Sequence, residues 1–307
     1  MPKRQTVGFV GLGVMGSALS SHLLRAGYEV VGYDIVPDRR AEHAARGGTQ
    51  AAGPADVGAR AQVVVTSLPS ARALAEVTRG DDGLAARPAA GLIVAETSTL
   101  PIEVKEEARQ FLASRGVTLL DCPLSGTGEQ ARRGDVIAYL SGDETAKAGA
   151  APVVAAMTRG YHDVGPFGSG SKMKFIANLL VTVHTLAAAE ALLLARRAGL
   201  DLATVLEAVG DGAGTSRMLE IRGPLMAEET YPASSMPTAL FGKDIQIITD
   251  FAGQLGSPTP LFSLASVFHR AALAQGRGDD DLACLYAVLG QLAAAHEHSD
   301  TGTCHGH

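Results

Sequence analysis

The chain contains no tryptophan and only three cysteines in 307 residues. Cys122, Cys284 and Cys304 lie far apart in the sequence, and none of them forms a CxxC pair. A disulfide framework and a zinc site of the usual spacing are therefore not expected. Such sparse use of cysteine is typical of proteins in a reducing compartment, which favours the cytoplasm.

The chain also lacks an excess of positive charge. Lys and Arg number 26 against 32 Asp and Glu, which gives a formal net charge of −6. This balance argues against a general nucleic-acid binder and against a protein that docks on anionic membranes. No basic segment followed by an apolar run opens the sequence, so a secretory signal is not expected, and we predict a cytoplasmic protein.

Long uninterrupted apolar runs are missing as well. The longest apolar stretch, residues 179–195, contains Thr182, His184, Thr185 and Glu190. It therefore predicts a buried helix rather than a membrane span. What the chain does have is a 46% share of hydrophobic residues. At this length and composition it can bury a sizeable core, and two domains are expected.

The two halves of the chain differ in their secondary-structure signals. Over residues 1–167, short β-rich runs alternate with helical patterns, which predicts βαβ units around a parallel sheet. Residues 168–198 predict one long interdomain helix, residues 199–297 predict an all-α domain, and residues 298–307 predict a flexible tail. The strands are expected at residues 6–10, 29–33, 63–66, 92–95, 118–120, 136–141 and 161–164.

The end of the chain is rich in histidine. His296, His298, Cys304, His305 and His307 together could bind a transition metal adventitiously. A frayed polar terminus explains the same composition without a bound ion. We therefore predict no functional metal site in this segment.

The most specific motif lies between Val7 and Asp34. Gly11, Gly13 and Gly16 form a GxGxxG directly after a short apolar strand. The first glycine permits a sharp turn, the second lets the backbone approach a pyrophosphate, and the third lets the next helix pack closely. This motif predicts that the α/β domain is Rossmann-like and binds a dinucleotide.

Residues around the glycine motif indicate which dinucleotide is bound. Val14 and Met15 begin the helix whose N-terminal amides are expected to face the phosphates. Asp34 follows Gly16 by 18 positions, close to the spacing of an acid that binds the ribose 2′-hydroxyl. A carboxylate there repels a 2′-phosphate, so NAD is predicted. Arg39 and Arg40 lie close enough in sequence to leave NADP open.

Small and polar residues follow three further predicted strands. Residues 66–69 read Thr-Ser-Leu-Pro, residues 96–101 read Glu-Thr-Ser-Thr-Leu-Pro, and residues 121–128 read Asp-Cys-Pro-Leu-Ser-Gly-Thr-Gly. Each alone is only a polar loop. Because the carboxyl ends of parallel strands meet at one edge of a sheet, together they predict a shared ligand site beside the glycine motif.

Lys174 and Asn178 lie near the start of the predicted long helix. Four residues apart, they share one helical face. A partly buried lysine in that position is suited to act as an acid/base. The alternative is that its amine simply reaches solvent, and spacing alone leaves both open. Lys172 points to a different face and is expected to be solvated.

Together these segments resemble the β-hydroxyacid dehydrogenase family, which includes 3-hydroxyisobutyrate, tartronate semialdehyde and 6-phosphogluconate enzymes. Residues 8–16 resemble its cofactor signature, 121–126 its substrate signature DxPxSG, and 168–178 its catalytic signature GxGxxxKxxxN. Lys243 and Asp244, by themselves only a solvated charge pair, match a late Lys-Asp pair of the family. The resemblance runs from Val7 to about Ala295.

The resemblance implies a fold, an activity and a role for each matching residue. It implies a Rossmann-like domain, a long interdomain helix and a helical domain that binds substrate and dimerises, in a homodimer or homotetramer. It implies NAD-dependent oxidation of a short 3-hydroxy acid, or reduction of the matching semialdehyde. The expected catalytic residues are Lys174, as acid/base, and Asn178, which also holds the substrate. The expected substrate residues are Ser125, Gly126 and the Thr127 amide. The expected cofactor residues are Gly11, Gly13, Val14, Met15, Gly16, Asp34, Leu68, Pro69, Ser98, Thr99 and Lys243.

The chain departs from the family pattern at several places. Ala177 replaces the first of two adjacent asparagines, and the second, Asn178, is kept. Thr127 stands where the family usually has a second glycine, so a narrower or more polar carboxylate pocket is expected. The loop over residues 96–101 is one residue short, which leaves open whether Ser98 or Thr99 makes the family contact. Two alternative functions stay open. An imine reductase on the same scaffold and a catalytically silent nucleotide-binding module both generally lack the lysine found at Lys174.

Overall fold

A computed structural model describes residues 5–232 and 237–297, with side chains described up to residue 293 of the last helix. Within them the chain forms two compact units that divide between Phe175 and Ile176. This division falls inside one continuous helix, α8 (Ser169–Arg197). The predicted tail over residues 298–307 and the side chain of His296 lie outside the described residues. The expectation about metal binding in this segment therefore also falls outside them.

Six strands of the first unit form one parallel sheet. They are β1 (Thr6–Val10), β2 (Glu29–Tyr33), β3 (Thr49–Gln50), β4 (Val63–Thr66), β5 (Ile93–Glu96) and β6 (Thr118–Asp121). Their spatial order is β3-β2-β1-β4-β5-β6. The chain therefore builds outward from β1 in one direction and then from β4 in the other. The carboxyl ends of β1 and β4 mark the point where ligands bind in such sheets.

Apolar residues on both faces of the strands explain why this sheet forms. Successive side chains of a strand point to opposite faces. Accordingly Val63 and Val65 of β4 pack in one core cluster, whereas Val64 packs in the other. Leu120 and Leu119 of β6 divide between the same two clusters. A sheet buried on both faces reads as a continuous apolar run, as predicted.

The connecting helices cover the sheet. They are α1 (Val14–Arg25), α2 (Pro37–Ala45), α3 (Pro54–Arg60), α4 (Ala71–Arg79), α5 (Ile102–Ala113), α6 (Gly128–Arg133) and α7 (Glu144–Met157). Several begin at a capping side chain. Ser70 accepts from the Ala73 amide before α4, and Asp143 accepts from the Ala146 amide before α7. These caps satisfy amides that a helix start leaves without a partner.

A second, three-stranded sheet lies in the same unit. It contains β7 (Leu124–Ser125), β8 (Ile137–Leu140) and β9 (Gly160–Asp163), in that order, with β7 antiparallel to β8. The sequence predicts β8 and β9, but it does not predict that they form a sheet separate from that of the other five predicted strands. Two short strands, β3 and β7, were not predicted, because two residues carry no visible periodicity.

The described part of the second unit is helical. After α8 it contains α9 (Leu202–Gly210), α10 (Arg217–Ala227), α11 (Thr238–Gln254), α12 (Pro260–Ala274), a 3-10 turn at Leu282–Cys284 and α13 (Leu285–Glu297). Asp201 caps α9 by accepting from the Thr204 amide at 2.8 Å. The α/β unit followed by a helical unit confirms the predicted fold class.

Helix α8, at 29 residues, is by its length and composition alone long and apolar enough to cross a membrane. The core helix of a globular protein meets the same criterion. Leu186, Ala189 and Leu192 indeed pack in the core of the second unit. The prediction of a buried helix holds for that face only, because Leu180 and Leu194 are exposed.

Candidate functional site

The glycine motif forms a tight turn between β1 and α1. Gly11 has φ +91°, and a Cβ there would lie 2.2 Å from the Ser67 carbonyl oxygen. A Cβ on Gly16 would lie 1.9 Å from the carbonyl oxygen of Gly11. Both distances are far below any van der Waals contact, so the turn and the packing of α1 require glycine at these positions.

Gly13 is explained differently. It is the N-cap of α1 and provides no side-chain cap. A Cβ there would have Arg39 Nη1, at 3.9 Å, as its nearest protein neighbour. Packing therefore does not demand glycine, and the missing side chain leaves space in front of the helix N-terminus. An open, positive helix end of this kind fits a dinucleotide pyrophosphate. Val14 is exposed at the same end, while Met15 packs against the core.

Asp34 joins the end of β2 to the glycine loop. Its side chain is 6% exposed, and its two carboxylate oxygens accept from the Leu12 amide at 2.8 Å and from the Val36 amide at 2.9 Å. Arg39 Nη1 lies 3.4 Å from Asp34 Oδ2, and Arg40 Nη1 donates to the Asp34 carbonyl at 2.8 Å. The carboxylate predicted to favour NAD and the two arginines that leave NADP open therefore lie together at the end of β2.

The loops after β4 and β5 are tied together. The Leu68 amide donates to Ser98 Oγ at 2.8 Å, and the Ser98 amide donates to Glu96 Oε1 at 3.0 Å. Ser98 is thus buried and committed to holding its neighbour. Thr99, half-buried beside it, is the more accessible of the two residues. Pro69 follows Leu68 on the same loop, so these four predicted residues are brought together.

The substrate motif leads from β7 into α6. Gly126 has φ +139°, and a Cβ there would lie 2.7 Å from Val136 Cγ1. Thr127 forms a capping box: Gln130 Oε1 accepts from the Thr127 amide at 2.9 Å, and Thr127 Oγ1 accepts from the Gln130 amide at 3.3 Å. The amide expected to hold a substrate carboxylate is therefore held by Gln130. Ser125, half-buried, precedes this turn.

Cys122 lies within the substrate motif and is fully buried. Burial, and then the negative charge of Asp121, raise the pKa of the Cys122 thiol. The thiol therefore stays protonated at neutral pH, and only the thiolate is reactive.

Lys174 lies just past the first turn of α8 and is 5% exposed. The alternative in which its amine simply reaches solvent is therefore wrong, whereas Lys172 is exposed as predicted. Asp121, at the end of β6, anchors the helix start. Its carboxylate accepts from the Ser171 amide at 2.7 Å and from Ser171 Oγ at 2.9 Å. The strand that ends in the substrate motif thus holds the helix that carries Lys174.

Asn178 belongs to the second unit, where it is 2% exposed. Its Nδ2 donates to Asp244 Oδ2 at 2.9 Å, and Lys243 Nζ lies 2.9 Å from Asp244 Oδ1. Asp244 is buried, so the interpretation of Lys243 and Asp244 as a solvated pair is wrong for the carboxylate. Asp244, which orients Asn178, is a residue that the site prediction missed.

Comparison with known proteins agrees with this geometry. The family model for the NAD binding domain of 6-phosphogluconate dehydrogenase matches residues 6–165. The model for the NAD-binding domain of NADP-dependent 3-hydroxyisobutyrate dehydrogenase matches residues 168–289. The chain belongs to the β-hydroxyacid dehydrogenase family. As such it is an NAD(P)-dependent oxidoreductase of hydroxy acids.

Individual relatives of this dehydrogenase cover nearly its whole length. It is 35% identical to L-threonate dehydrogenase of Cupriavidus necator, over 92% of this chain and 95% of that protein. It is 31% identical to the NAD-dependent L-serine dehydrogenase of Pseudomonas aeruginosa, over 92% and 97%. The solved structure of 3-hydroxyisobutyrate dehydrogenase from Salmonella typhimurium superposes with a TM-score of 0.83 at 31% identity, over 92% and 99%.

Imine reductases share only the fold with this dehydrogenase. The Streptomyces aurantiacus imine reductase has a TM-score of 0.63 at 22% identity, over 93% of this chain and 99% of that one. Identity at that level carries no activity across. The named hydroxy-acid dehydrogenases therefore favour the leading hypothesis over the imine reductase and over a silent binding module.

Proposed function

We propose that this dehydrogenase transfers a hydride between NAD and a short 3-hydroxy acid or its semialdehyde, with Lys174 as the acid/base. The observation that carries the proposal is the burial of Lys174, 5% exposed, on a helix anchored to the substrate-motif strand. NADP is the second candidate cofactor, since Arg39 and Arg40 flank Asp34.

In the proposed reaction the protein's side chains transfer the proton, and the cofactor supplies the hydride chemistry. The nicotinamide ring, when bound, accepts or gives the hydride. In the oxidative direction the neutral Lys174 amine takes the hydroxyl proton, and in reduction its ammonium returns it. Asn178, held by Asp244, is proposed to orient the substrate, and Lys243 to contact the cofactor. Holding the groups in place supplies much of the acceleration.

The remaining predicted residues divide between cofactor and substrate. Gly13 and the amides that follow it are proposed to bind the pyrophosphate, and Asp34 the adenosine ribose. Leu68, Pro69 and the loop with Ser98 and Thr99 are proposed to line the nicotinamide. Ser125, Gly126 and the Thr127 amide are proposed to bind the substrate carboxylate. For the last of these, Gln130 Oε1 must give up its place on the amide.

A panel of acids tests the proposed substrate class. NADH formation is measured with serine, 3-hydroxyisobutyrate, 3-hydroxypropionate, glycerate, threonate and phosphogluconate. We expect turnover with at least one of the shorter acids and a preference for them over phosphogluconate, because Thr127 narrows the pocket. Activity on cyclic imines but on none of the acids contradicts the proposal, as does cofactor binding without any turnover.

Two variants on the same panel isolate the effect of Thr127. Thr127→Gly is expected to raise kcat/KM for the larger acids relative to serine by about tenfold, the usual effect of a few atoms in a pocket. Thr127→Ser is the matched control, because it keeps the capping hydroxyl and removes only the methyl group. A preference that neither variant moves assigns substrate size selection to other residues.

We further propose a cytoplasmic homodimer or homotetramer. Leu261, Leu264 and Val267 of α12 are each at least 49% exposed and recur every three residues along the helix, so they share a face that a second copy could cover. Sedimentation is expected to give two or four times the 31.6 kDa chain mass, and Leu264→Glu to lower it. A wild-type monomer at micromolar concentration contradicts this proposal.

A further inference from the structure

Three charged side chains meet in the interior of the first unit. Lys105, Glu96 and Asp121 are each 0% exposed. Lys105 Nζ lies 2.7 Å from Glu96 Oε2 and 2.8 Å from Asp121 Oδ1. Taking charges out of water is strongly unfavourable, and apolar residues of similar size often serve stability equally well. A buried cluster of this kind therefore calls for a reason other than stability.

The cluster is placed at the functional edge of the sheet. Glu96 and Asp121 are the last residues of β5 and β6, and they are paired in register across the two strands. Lys105 reaches them from α5. Without its ammonium, two carboxylates would face each other in a dry interior, and one would have to be protonated.

One arm of the cluster fixes the start of α8. Asp121 accepts from both the amide and the hydroxyl of Ser171. Ser141 Oγ donates to the Asp121 carbonyl at 2.9 Å and accepts from the Gly170 amide at 3.0 Å. The Ser171 amide of the first turn of α8 therefore ends on a carboxylate of this cluster, and the Gly170 amide is linked to Asp121 through Ser141. Lys174 follows Ser171 by three residues, so its position depends on this anchor.

The other arm fixes the loops proposed to line the nicotinamide. Glu96 Oε1 accepts from the Ser98 amide, and Ser98 Oγ accepts from the Leu68 amide. The Lys105 ammonium thus holds two carboxylates. Asp121 positions the start of α8, and Glu96 positions the loop that contains Ser98. Burial alone would lower the pKa of Lys105, but the attraction of Asp121 and Glu96 raises it, so the ammonium persists at neutral and alkaline pH.

We propose that Lys105 is a positioning residue for hydride transfer, clamping Glu96 and Asp121 so that Lys174 and the loop at Leu68 and Ser98 are held in register. It contacts no substrate. The kinetic part of this proposal rests on the proposed function of Lys174, while the anchoring of α8 does not.

Lys105→Met tests the clamp by kinetics and by hydrogen exchange. We expect kcat to fall about a hundredfold. The Kd for NAD is expected to rise by less than about tenfold, because the proposed pyrophosphate and ribose contacts at the glycine loop and Asp34 are untouched while only the proposed nicotinamide loop is loosened. Independently of activity, exchange of the Gly170 and Ser171 amides is expected to quicken at least tenfold relative to the Ala146 amide of α7. Unchanged exchange at those two amides overturns the proposal.

A matched control separates positioning from loss of stability. The Lys147 side chain is 4% exposed and also bridges two carboxylates, lying 2.6 Å from Asp163 and 2.9 Å from Glu144, but these partners are themselves 49% and 83% exposed. None of its described bonds reaches α8. Lys147→Met removes a bridging ammonium from the same unit and is expected to leave kcat and exchange of the Ser171 amide within about twofold of the wild type. An equal loss of kcat in both variants overturns the positioning role.

A milder variant keeps the test informative if Lys105→Met fails to fold. Ser171→Ala removes one bond to Asp121 and leaves no charge unbalanced. It is expected to lower kcat about tenfold with little change in KM, since one hydrogen bond to a charged group is lost. Wild-type kcat and exchange in Ser171→Ala overturn the proposal. A different outcome separates the two proposals. If the wild type is inactive on every acid but Lys105→Met still quickens exchange of the Gly170 and Ser171 amides, the proposed function is overturned and the anchoring of α8 stands.

Discussion

Lys174→Ala is expected to lower kcat for the best hydroxy acid by about three orders of magnitude, within the range of a lost general acid/base. The reason is that the hydroxyl proton has no acceptor when the hydride leaves. NAD binding should change little, because the predicted dinucleotide contacts are made by the glycine loop and Asp34. Stopped-flow or steady-state NADH absorbance measures the first effect, and fluorescence titration with NADH the second.

Lys172→Ala is the matched control for this variant. Lys172 lies on the same helix two residues earlier and is exposed, so its replacement truncates a lysine at the same helix start but leaves the buried amine in place. We expect kcat within about twofold of the wild type. Normal turnover by Lys174→Ala, or an equal loss in both variants, contradicts the assignment of Lys174 as the acid/base.

Asp34→Ser is expected to reverse the cofactor preference. Loss of the charged bonds to the ribose should lower kcat/KM for NAD about a hundredfold. Removal of the repulsion should raise kcat/KM for NADP about tenfold, because Arg39 and Arg40 already adjoin the position. Kinetics with both cofactors at a saturating hydroxy acid measure the change. A wild type that prefers NADP contradicts the role given to this carboxylate.

Asp34 also supports the glycine loop, so the control for this experiment must keep that bond. Its Oδ2 accepts from the Leu12 amide, and Asp34→Asn retains an acceptor of the same shape without the charge. If charge sets selectivity, Asp34→Asn improves the use of NADP as Asp34→Ser does. If loop support matters more, only Asp34→Ser loses activity with NAD.

The interior strands were predictable because burial on both faces leaves an unambiguous signal. The predicted bounds of β1, β2 and β4 coincide with those in the structure. The two-residue strands β3 and β7 and the separate small sheet were not predictable, since their pairing depends on contacts distant in sequence.

The candidate site was predictable where a motif encodes backbone geometry. The glycine turn and the acid at the end of β2 are of this kind. Lys105 is different. It shares the buried face of α5 with Ala108 and Leu112, and a lysine in an apolar stripe is a visible signal. Its partners, however, are known only once the sheet order is known.

Thr127 shows how a residue can carry two signals. Read as part of the substrate motif, it predicts a changed carboxylate pocket. Read with Gln130 three positions later, it is the T-x-x-Q signature of a capping box, which is what the structure contains. The proposed carboxylate site and the observed cap both use the Thr127 amide, so we expect a substrate carboxylate and Gln130 Oε1 to compete for it.

The most direct test of the central claim is a crystal structure of this dehydrogenase with NAD and its best hydroxy acid bound together. We predict that Lys174 Nζ lies within about 3.2 Å of the substrate hydroxyl oxygen, the reach of a general base. A Lys174 amine directed into bulk water, with no substrate oxygen near it, would contradict the account.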